Sequence, residues 1–398
     1  MAHSQRVSAF LHQVIAKAGG WIPFSEWMHQ VLYAPGLGYY AAGNTKLADT
    51  QASATTQLSG DFVTAPQLTP LFGQTIAKQI SEVLKQTNTA HVLEFGAGSG
   101  ALAQDILEAL DAQGLIVDYF ILEVSADLKR RQQERLARWG NRVQWLDRTP
   151  EQFAGCVIAN EVLDAMPVEM FRWTEEGALQ IRGVKSLGSE NAASGNTASG
   201  NTTPHNLVQD FAFEDRPASD ALMRVMQRRM PALPDYRSEI NLQAEAWISN
   251  LGAWLTRGAA LLIDYGFPRH EYYHPQRHRG TLMCHIQHRA HDDVFLAPGL
   301  QDITAHVDFT AIAQAGQAAG LDLLGYTSQA RFLLNAGLAD ILAAYAPESE
   351  QLRAQTNGAV QKLISEAEMG ELFKVIALGR GVTEPLSGFA RGDRSGSL

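Results

Sequence analysis

The run VLEFGAGSGALAQDIL, from Val92 to Leu107, holds the first residues whose spacing can do chemistry. An apolar stretch ends in Glu94, then Gly96, Gly98 and Gly100 follow, and a helical pattern starts at Ala101. Glycines so spaced allow a tight strand-to-helix turn and a close approach of ligand to backbone. The free N–H groups at the start of the next helix would face that ligand. A triphosphate-binding loop needs Lys-Ser/Thr after its last glycine, and Ala101-Leu102 stand there instead. A dinucleotide stays open. Gly96 to Ala101 also satisfies G-x-G-x-x-A, and Glu123 ends the next strand at about the 20-residue interval where a carboxylate takes ribose hydroxyls. A glycine turn with a purely structural role is the plainer alternative.

Three features favour S-adenosylmethionine. Glu94 lies directly inside the turn, in the form E-x-G-x-G-x-G, where a carboxylate suits the ammonium of a methionine moiety and disfavours a pyrophosphate. Asp147, after the third strand, is placed for an adenine amino group. The fourth strand ends in NEVLDAMP, which is no dehydrogenase feature.

That fourth strand brings Asn160, Glu161 and Asp164 to the carboxyl edge of a sheet, where open α/β sheets bind ligands. Glu161 and Asp164 are three apart, so one helical turn would set both on one side. No Pro-Pro-aromatic element follows, which disfavours a nucleic-acid base amine as acceptor. Two carboxylates suit a cation such as arginine, whose guanidinium they can hold in bidentate geometry while drawing charge from the attacking nitrogen. Alignment with a sulfonium methyl is then a matter of proximity. The pair can equally cap a helix or meet a structural Arg.

Other residues carry weaker signals. His285, His288 and His291, with His274 and His278 before them, cluster without a cysteine pair or a standard zinc spacing; loop and groove histidines are expected, and no metal. Asp264 ends another strand, as a catalytic group or a cap. Tyr39 and Tyr40 line a pocket or pack amphipathically.

The elements that must position these residues can be read from periodicity. Helices are expected near 4–18 and 24–33, with Val7, Phe10, Leu11, Val14 and Ile15 on one face of the first. Strand–helix alternation begins near 90, the signature of an open, mostly parallel α/β sheet. It breaks at VEMFRWTEEGALQIRGV, a hairpin pattern, and a Ser/Gly/Asn/Thr-rich loop at 186–206 follows. The fifth core strand falls near 259–264, so about 165–240 reads as an α+β insertion suited to substrate recognition. The division expected is an N-terminal helical extension with a cofactor-covering loop at 1–89, a Rossmann-like domain at 90–382, and a disordered tail at 383–398.

The bulk numbers agree with an ordinary globular protein: 398 residues, 45% apolar and 19% charged. A net charge of −10 sets a general nucleic-acid binder at a disadvantage. Two cysteines, Cys156 and Cys284, both in apolar or strand-like stretches, point to a reducing compartment. With no apolar run of about 20 residues and no signal-peptide core, a soluble cytoplasmic protein without a membrane span is expected. Oligomeric state is not legible.

Taken together, FSEWMHQVLYAPGLGYY, GDFVTAP, LFGQTIAKQI, EFGAGSGALAQDIL, ANEVLDAMPVEMF, SEINLQAEAW, LLIDYG, GTLMCHIQHRAH, PGLQDITAHVDF and RFLLNAGL resemble the MidA-type methyltransferases over about residues 20–380. That family includes the mitochondrial complex I assembly arginine methyltransferase. The resemblance implies a Rossmann-like class I fold, S-adenosyl-L-methionine as cofactor, and methylation of an accessible arginine on a protein, of the respiratory-complex subunit kind. It implies that Asn160 to Asp164 lie beside the methyl and that Asp61, Phe62 and Thr64 close over the cofactor. The family turn often reads E-L-G-P-G-R-G; here Ala97 and Ser99 replace Pro and Arg. Two other readings remain at this level: a cofactor-binding assembly protein with little turnover, and a small-molecule methyltransferase.

Overall fold

The computed structural model describes residues 2–42, 64–187, 210–287 and 289–398. Two helices open it, α1 (Ala2–Lys17) and α2 (Phe24–Tyr33). On α1 the buried residues are Val7, Leu11 and Ile15, with Phe10 and Val14 packed beside them, the stripe that 3.6-residue periodicity requires. On α2 they are Phe24, Trp27, Met28, Val31 and Leu32.

Seven strands form the central frame: β1 (His91–Phe95), β2 (Asp118–Leu122), β3 (Val143–Leu146), β4 (Phe153–Asn160), β5 (Leu255–Phe267), β6 (Asp322–Ser328) and β7 (Phe373–Arg380). Their order across the sheet is β3-β2-β1-β4-β5-β7-β6. β1 to β5 are parallel, and β7 runs antiparallel to both β5 and β6. The short strand Val307–Asp308 adds to the end of β5. The chain moves outward from β1 to β3 and restarts on the other side at β4. The crevice beyond the carboxyl ends of β1 and β4 is therefore the topological switch point, where such sheets take ligands.

β5 reads as a continuous apolar run because both its faces are covered. Ala259, Leu261 and Ile263 enter the core under α3 (Pro70–Thr87) and α4 (Ala101–Ala112). Ala260 and Leu262 enter the opposite core with α6 (Leu242–Trp254) and α7 (Phe309–Ala318). Between them, α5 (Ala126–Arg135) follows β2 and buries only Gln132. Since α3 lies on the central sheet, the boundary expected at 89 falls after the first helix of that layer rather than before it.

The expected hairpin is present: Glu169–Trp173 pairs antiparallel with Leu179–Ser186, with Met170 opposite Arg182 and Trp173 opposite Leu179. Phe211–Pro217 and Tyr236–Ile240 extend that sheet, and Trp21–Pro23, between α1 and α2, pairs with it through Trp21 opposite Lys185. The N-terminal extension and the insertion, separate in sequence, thus share one sheet and one core. The 186–206 loop falls outside the described residues beyond Leu187.

The C-terminal end differs from the expected disordered tail at 383–398. Leu386 and Phe389 are buried, and α3 side chains take the backbone: Gln86 accepts from Thr383 and Glu384, Glu82 from Ser387, and Gln79 from Gly388. Further on, Asp393 accepts from the Tyr326 N–H at 3.0 Å and Thr327 donates to the Gly392 carbonyl at 2.7 Å. Polar side chains on other elements satisfy this segment, so it carries no periodicity of its own.

Candidate active site

Gly96, Gly98 and Gly100 all take positive φ, at 63°, 54° and 77°. Gly100 caps α4 with no side-chain bond, leaving the helix N-terminus open toward the crevice. A methyl group at Gly96 would sit 3.2 Å from Val162, so the turn also packs tightly against the loop after β4.

Two carboxylates stand by this turn. Glu94 is buried in β1 and accepts from the Tyr119 hydroxyl at 2.7 Å; burial pushes its carboxyl up to about 8 despite that bond. Glu123, at the end of β2, accepts from the Ser125 N–H and from Gln132, each at 2.9 Å. Burial raises its pKa, and donors that include the Gly98 N–H oppose the rise. Gln132 also donates to the Gly98 carbonyl at 2.9 Å and accepts from Trp145 at 2.9 Å, tying turn, β2 and β3 together. Val124 is 79% exposed, and with Leu122, Leu128 and Leu146 it gives the cavity an apolar wall suited to a flat base. Asp147 is on the rim, its side chain 92% exposed and 3.1 Å from Lys129.

The acidic segment after β4 is a turn, not the helical turn expected from spacing. Glu161 adopts a left-handed φ of 54°, which costs a non-glycine residue about 1 kcal/mol or more. Its N–H is held by the Ile263 carbonyl at 2.9 Å. Asp264 takes the N–H groups of Leu163 (2.9 Å) and Asp164 (3.2 Å), the capping role of the two expected for it. Tyr33 donates to the Ala165 carbonyl, Ala305 to that of Asp164, each at 2.9 Å, and Asn241 to those of Leu163 and Met166. The strain at Glu161 persists because its surroundings over-determine the loop, and such strain marks functional sites.

Both acids of the loop face the cavity. Glu161 accepts from Asn160 at 3.1 Å and from the Ala65 N–H, at the start of the short helix Ala65–Leu68. Burial and neighbouring Asp164 push it up to about 8. Asp164 accepts from Tyr265 on one oxygen, while its other oxygen and the Asn160 carbonyl oxygen are buried without a partner. Burial pushes Asp164 to about 6, with the Tyr265 bond opposing. Thr64, capping Ala65–Leu68, also reaches the cavity; Asp61 and Phe62 lie outside the described residues.

Tyr265, Asp302 and His306 are functional candidates that the sequence reading missed. Asp302 accepts from Tyr40 at 2.9 and 3.0 Å, so Tyr40 belongs to the cavity. His306 stacks on Phe267 at 5.3 Å, and burial lowers its pKa to about 4. Of the histidine cluster, His285 lines the cavity, while His274 and His291 each accept a neighbouring backbone N–H; His288 lies outside the described residues. Among the described residues, no three His, Cys, Asp or Glu side chains are grouped to hold a metal.

The cavity measures about 1170 Å³. Seven carboxylates line it: Glu94, Glu123, Asp127, Asp147, Glu161, Asp164 and Asp302. No Lys or Arg does so among the described residues. Such a surface repels a pyrophosphate and receives cations. It fits S-adenosylmethionine, which carries an ammonium and a sulfonium, and leaves carboxylates over for a second cation.

Known proteins resemble this chain in sequence and structure. Residues 75–327 match the family described as "Putative S-adenosyl-L-methionine-dependent methyltransferase". A crystal structure of a superfamily member from Burkholderia thailandensis bound to S-adenosyl-homocysteine is 49% identical, covers 100% of this chain and 97% of its own, and superposes with a TM-score of 0.89. The chain is 27% identical to the protein arginine methyltransferase NDUFAF7, mitochondrial, of Danio rerio, over 91% of this chain and 84% of the relative. It is also 27% identical to the corresponding homolog of Drosophila melanogaster, over 91% and 82%.

Proposed function

The chain belongs to the S-adenosyl-L-methionine-dependent methyltransferases of the MidA type, and on that premise we propose that it methylates arginine on a partner protein. The observation that carries this reading is the cavity lined by seven carboxylates without a Lys or Arg among the described residues. The curated relatives named arginine methyltransferases support it.

When bound, the cofactor supplies a methyl group on positively charged sulfur. In this proposal the open N-terminus of α4 and the glycine turn hold its amino-acid end, and Glu94 takes its ammonium. Glu123 takes the ribose hydroxyls, Asp147 the adenine amino group, and Asn160 and Thr64 border the methyl. Across from them, Glu161 and Asp164 grip the guanidinium, as planar cations prefer. Tyr265 bonds one Asp164 oxygen and so fixes the carboxylate in place beside the acceptor. The attacking nitrogen must lose a proton. Burial holds Glu161 at about 8 in the empty cavity; the guanidinium bound beside it favours the ionised form, which then receives the proton.

Methyl-labelled S-adenosylmethionine, the protein and cell lysate, followed by hydrolysis of the labelled proteins to amino acids, tests the proposal. Label in methylarginine is expected. Label in methyllysine, label released as methanol from a carboxyl ester, or label only in small molecules, would move the reading to another acceptor. E161Q should bind cofactor within a few-fold of wild type yet lose about 100-fold or more in turnover.

A further inference from the structure

Three aromatic rings meet where Tyr265 bonds Asp164. Phe373 stands opposite Tyr265 in the register of β7 against β5, and its ring meets the Tyr265 ring edge-on, centroids 5.3 Å apart and planes at 74°. His306 meets the same ring at 5.0 Å, also at 74°. All three residues line the cavity. The His306 ring lies parallel to Phe267 at 5.3 Å. Its backbone N–H donates to the Thr281 hydroxyl at 3.0 Å, and Thr281 donates its own N–H and hydroxyl to buried Glu239 at 2.9 and 3.1 Å. From Phe373 the wall continues outward. The short helix Met369–Leu372 precedes it, Met369 and Leu372 also line the cavity, and Leu372 is 39% exposed.

A histidine among seven carboxylates is expected to carry a charge and pair with one of them. His306 does not. Among the described residues no ion pair or hydrogen bond joins its ring to an acid, and its Nδ1 is buried without a partner. Burial, with Arg277 and Lys374 nearby, lowers its pKa to about 4. What it offers the cavity is a flat, uncharged surface. A guanidinium is itself flat and delocalised: it binds carboxylates along its edges, lays its face on aromatic rings, and trails an apolar methylene stem. An ammonium is a compact, strongly hydrated point charge that gains less from such a wall. The cavity, about 1170 Å³, exceeds the roughly 300–1,000 Å³ of an ordinary small-molecule pocket, so an acceptor has room beside the cofactor.

We propose that His306, Tyr265 and Phe373 form an aromatic slot for the acceptor arginine, whose stem leaves the cavity along Leu372 and Met369. This assignment rests on the arginine reading above. Glu161 and Asp164 then hold the edges of the guanidinium, and the slot holds its face and selects it over an ammonium.

His306 is the discriminating position. Protein labelled at its histidine rings is saturated with S-adenosylhomocysteine, and N-acetyl-arginine amide or N-acetyl-lysine amide is added. Binding is read by saturation-transfer NMR, and the His306 ring by its own resonances, assigned by their absence in H306L. Wild type is expected to favour the arginine amide, which should shift the His306 resonances from their position with S-adenosylhomocysteine alone. H306L keeps apolar bulk but loses the flat ring, and should weaken the arginine amide roughly fivefold. H306F should weaken it less, with S-adenosylhomocysteine affinity unchanged in both variants. If wild type favours the arginine amide but the His306 resonances stay still, or H306L binds it as tightly as wild type, the slot is overturned and the arginine reading stands. A matching loss of S-adenosylhomocysteine affinity in H306L would also overturn the slot, by placing the ring on the cofactor side. If wild type shows no preference for the arginine amide, the arginine reading fails and the slot falls with it.

Discussion

Asp164 shows how a single side chain is prepared for a cation. One oxygen is taken by Tyr265, the other is buried and unpartnered, and its backbone N–H is fixed by Asp264. The Tyr265 bond favours the ionised form, so Y265F should raise the Asp164 pKa above its present value of about 6. The acidic limb of the pH–rate profile should then move to higher pH, with cofactor affinity little changed; a profile identical to wild type would remove Tyr265 from the site. At the cofactor turn, Gly98 sits at a φ of 54°. A β-branched side chain there is strained in addition to crowding the ligand. Gly98→Val should abolish S-adenosylmethionine binding in calorimetry while circular dichroism stays native-like.

Elements differ in how plainly the sequence announces them. β1, α4 and the hairpin 169–186 were legible because their signals are local: apolar periodicity, glycine spacing and alternation. The ends of β1, β2 and β4 gave Glu94, Glu123, Asn160, Glu161 and Asp164 because parallel sheets bring those ends together. Tyr265 and Asp302 were not legible. Their partners, Asp164 and Tyr40, lie 101 and 262 residues away, and nothing local to either residue signals the bond. The helical turn expected at 161–164 failed for a similar reason, since Asp264 and Ile263, distant in sequence, fix that loop. The C-terminal end likewise owes its order to α3. Leu386 and Phe389 are nearly fully buried, and each such side chain contributes about 1.5–3 kcal/mol. Truncation after residue 382 should therefore lower the Tm by several degrees in scanning calorimetry; an unchanged Tm would show that the segment does not stabilise the fold.

At the scale of the whole molecule, buried acids make stability depend on pH and on ligand. Burial pushes Glu94 and Glu161 up to about 8, Asp105 and Glu239 to about 7 and Asp164 to about 6. In the unfolded chain these groups titrate near 4. Folding therefore raises their pKa values, so their contribution is fully present below about pH 4 and is lost as pH rises toward 8. The ligand-free protein should show a falling Tm from about pH 5 to pH 8.5. A cationic ligand relieves the repulsion among ionised carboxylates, so S-adenosylmethionine should raise the Tm more at pH 8.5 than at pH 6. An equal rise at both values would mean that the cavity acids are not coupled to the ligand.

The central claim is that this acidic cavity is built to receive cations, the cofactor among them. Calorimetric titration with S-adenosylmethionine at pH 7, in buffers of different ionisation enthalpy, tests it most directly, with NAD titrated in parallel. The account predicts binding of S-adenosylmethionine with net proton release, as Glu94 gives up its proton to meet the ammonium, and no binding of NAD. Binding without proton release, or binding of NAD, would contradict it.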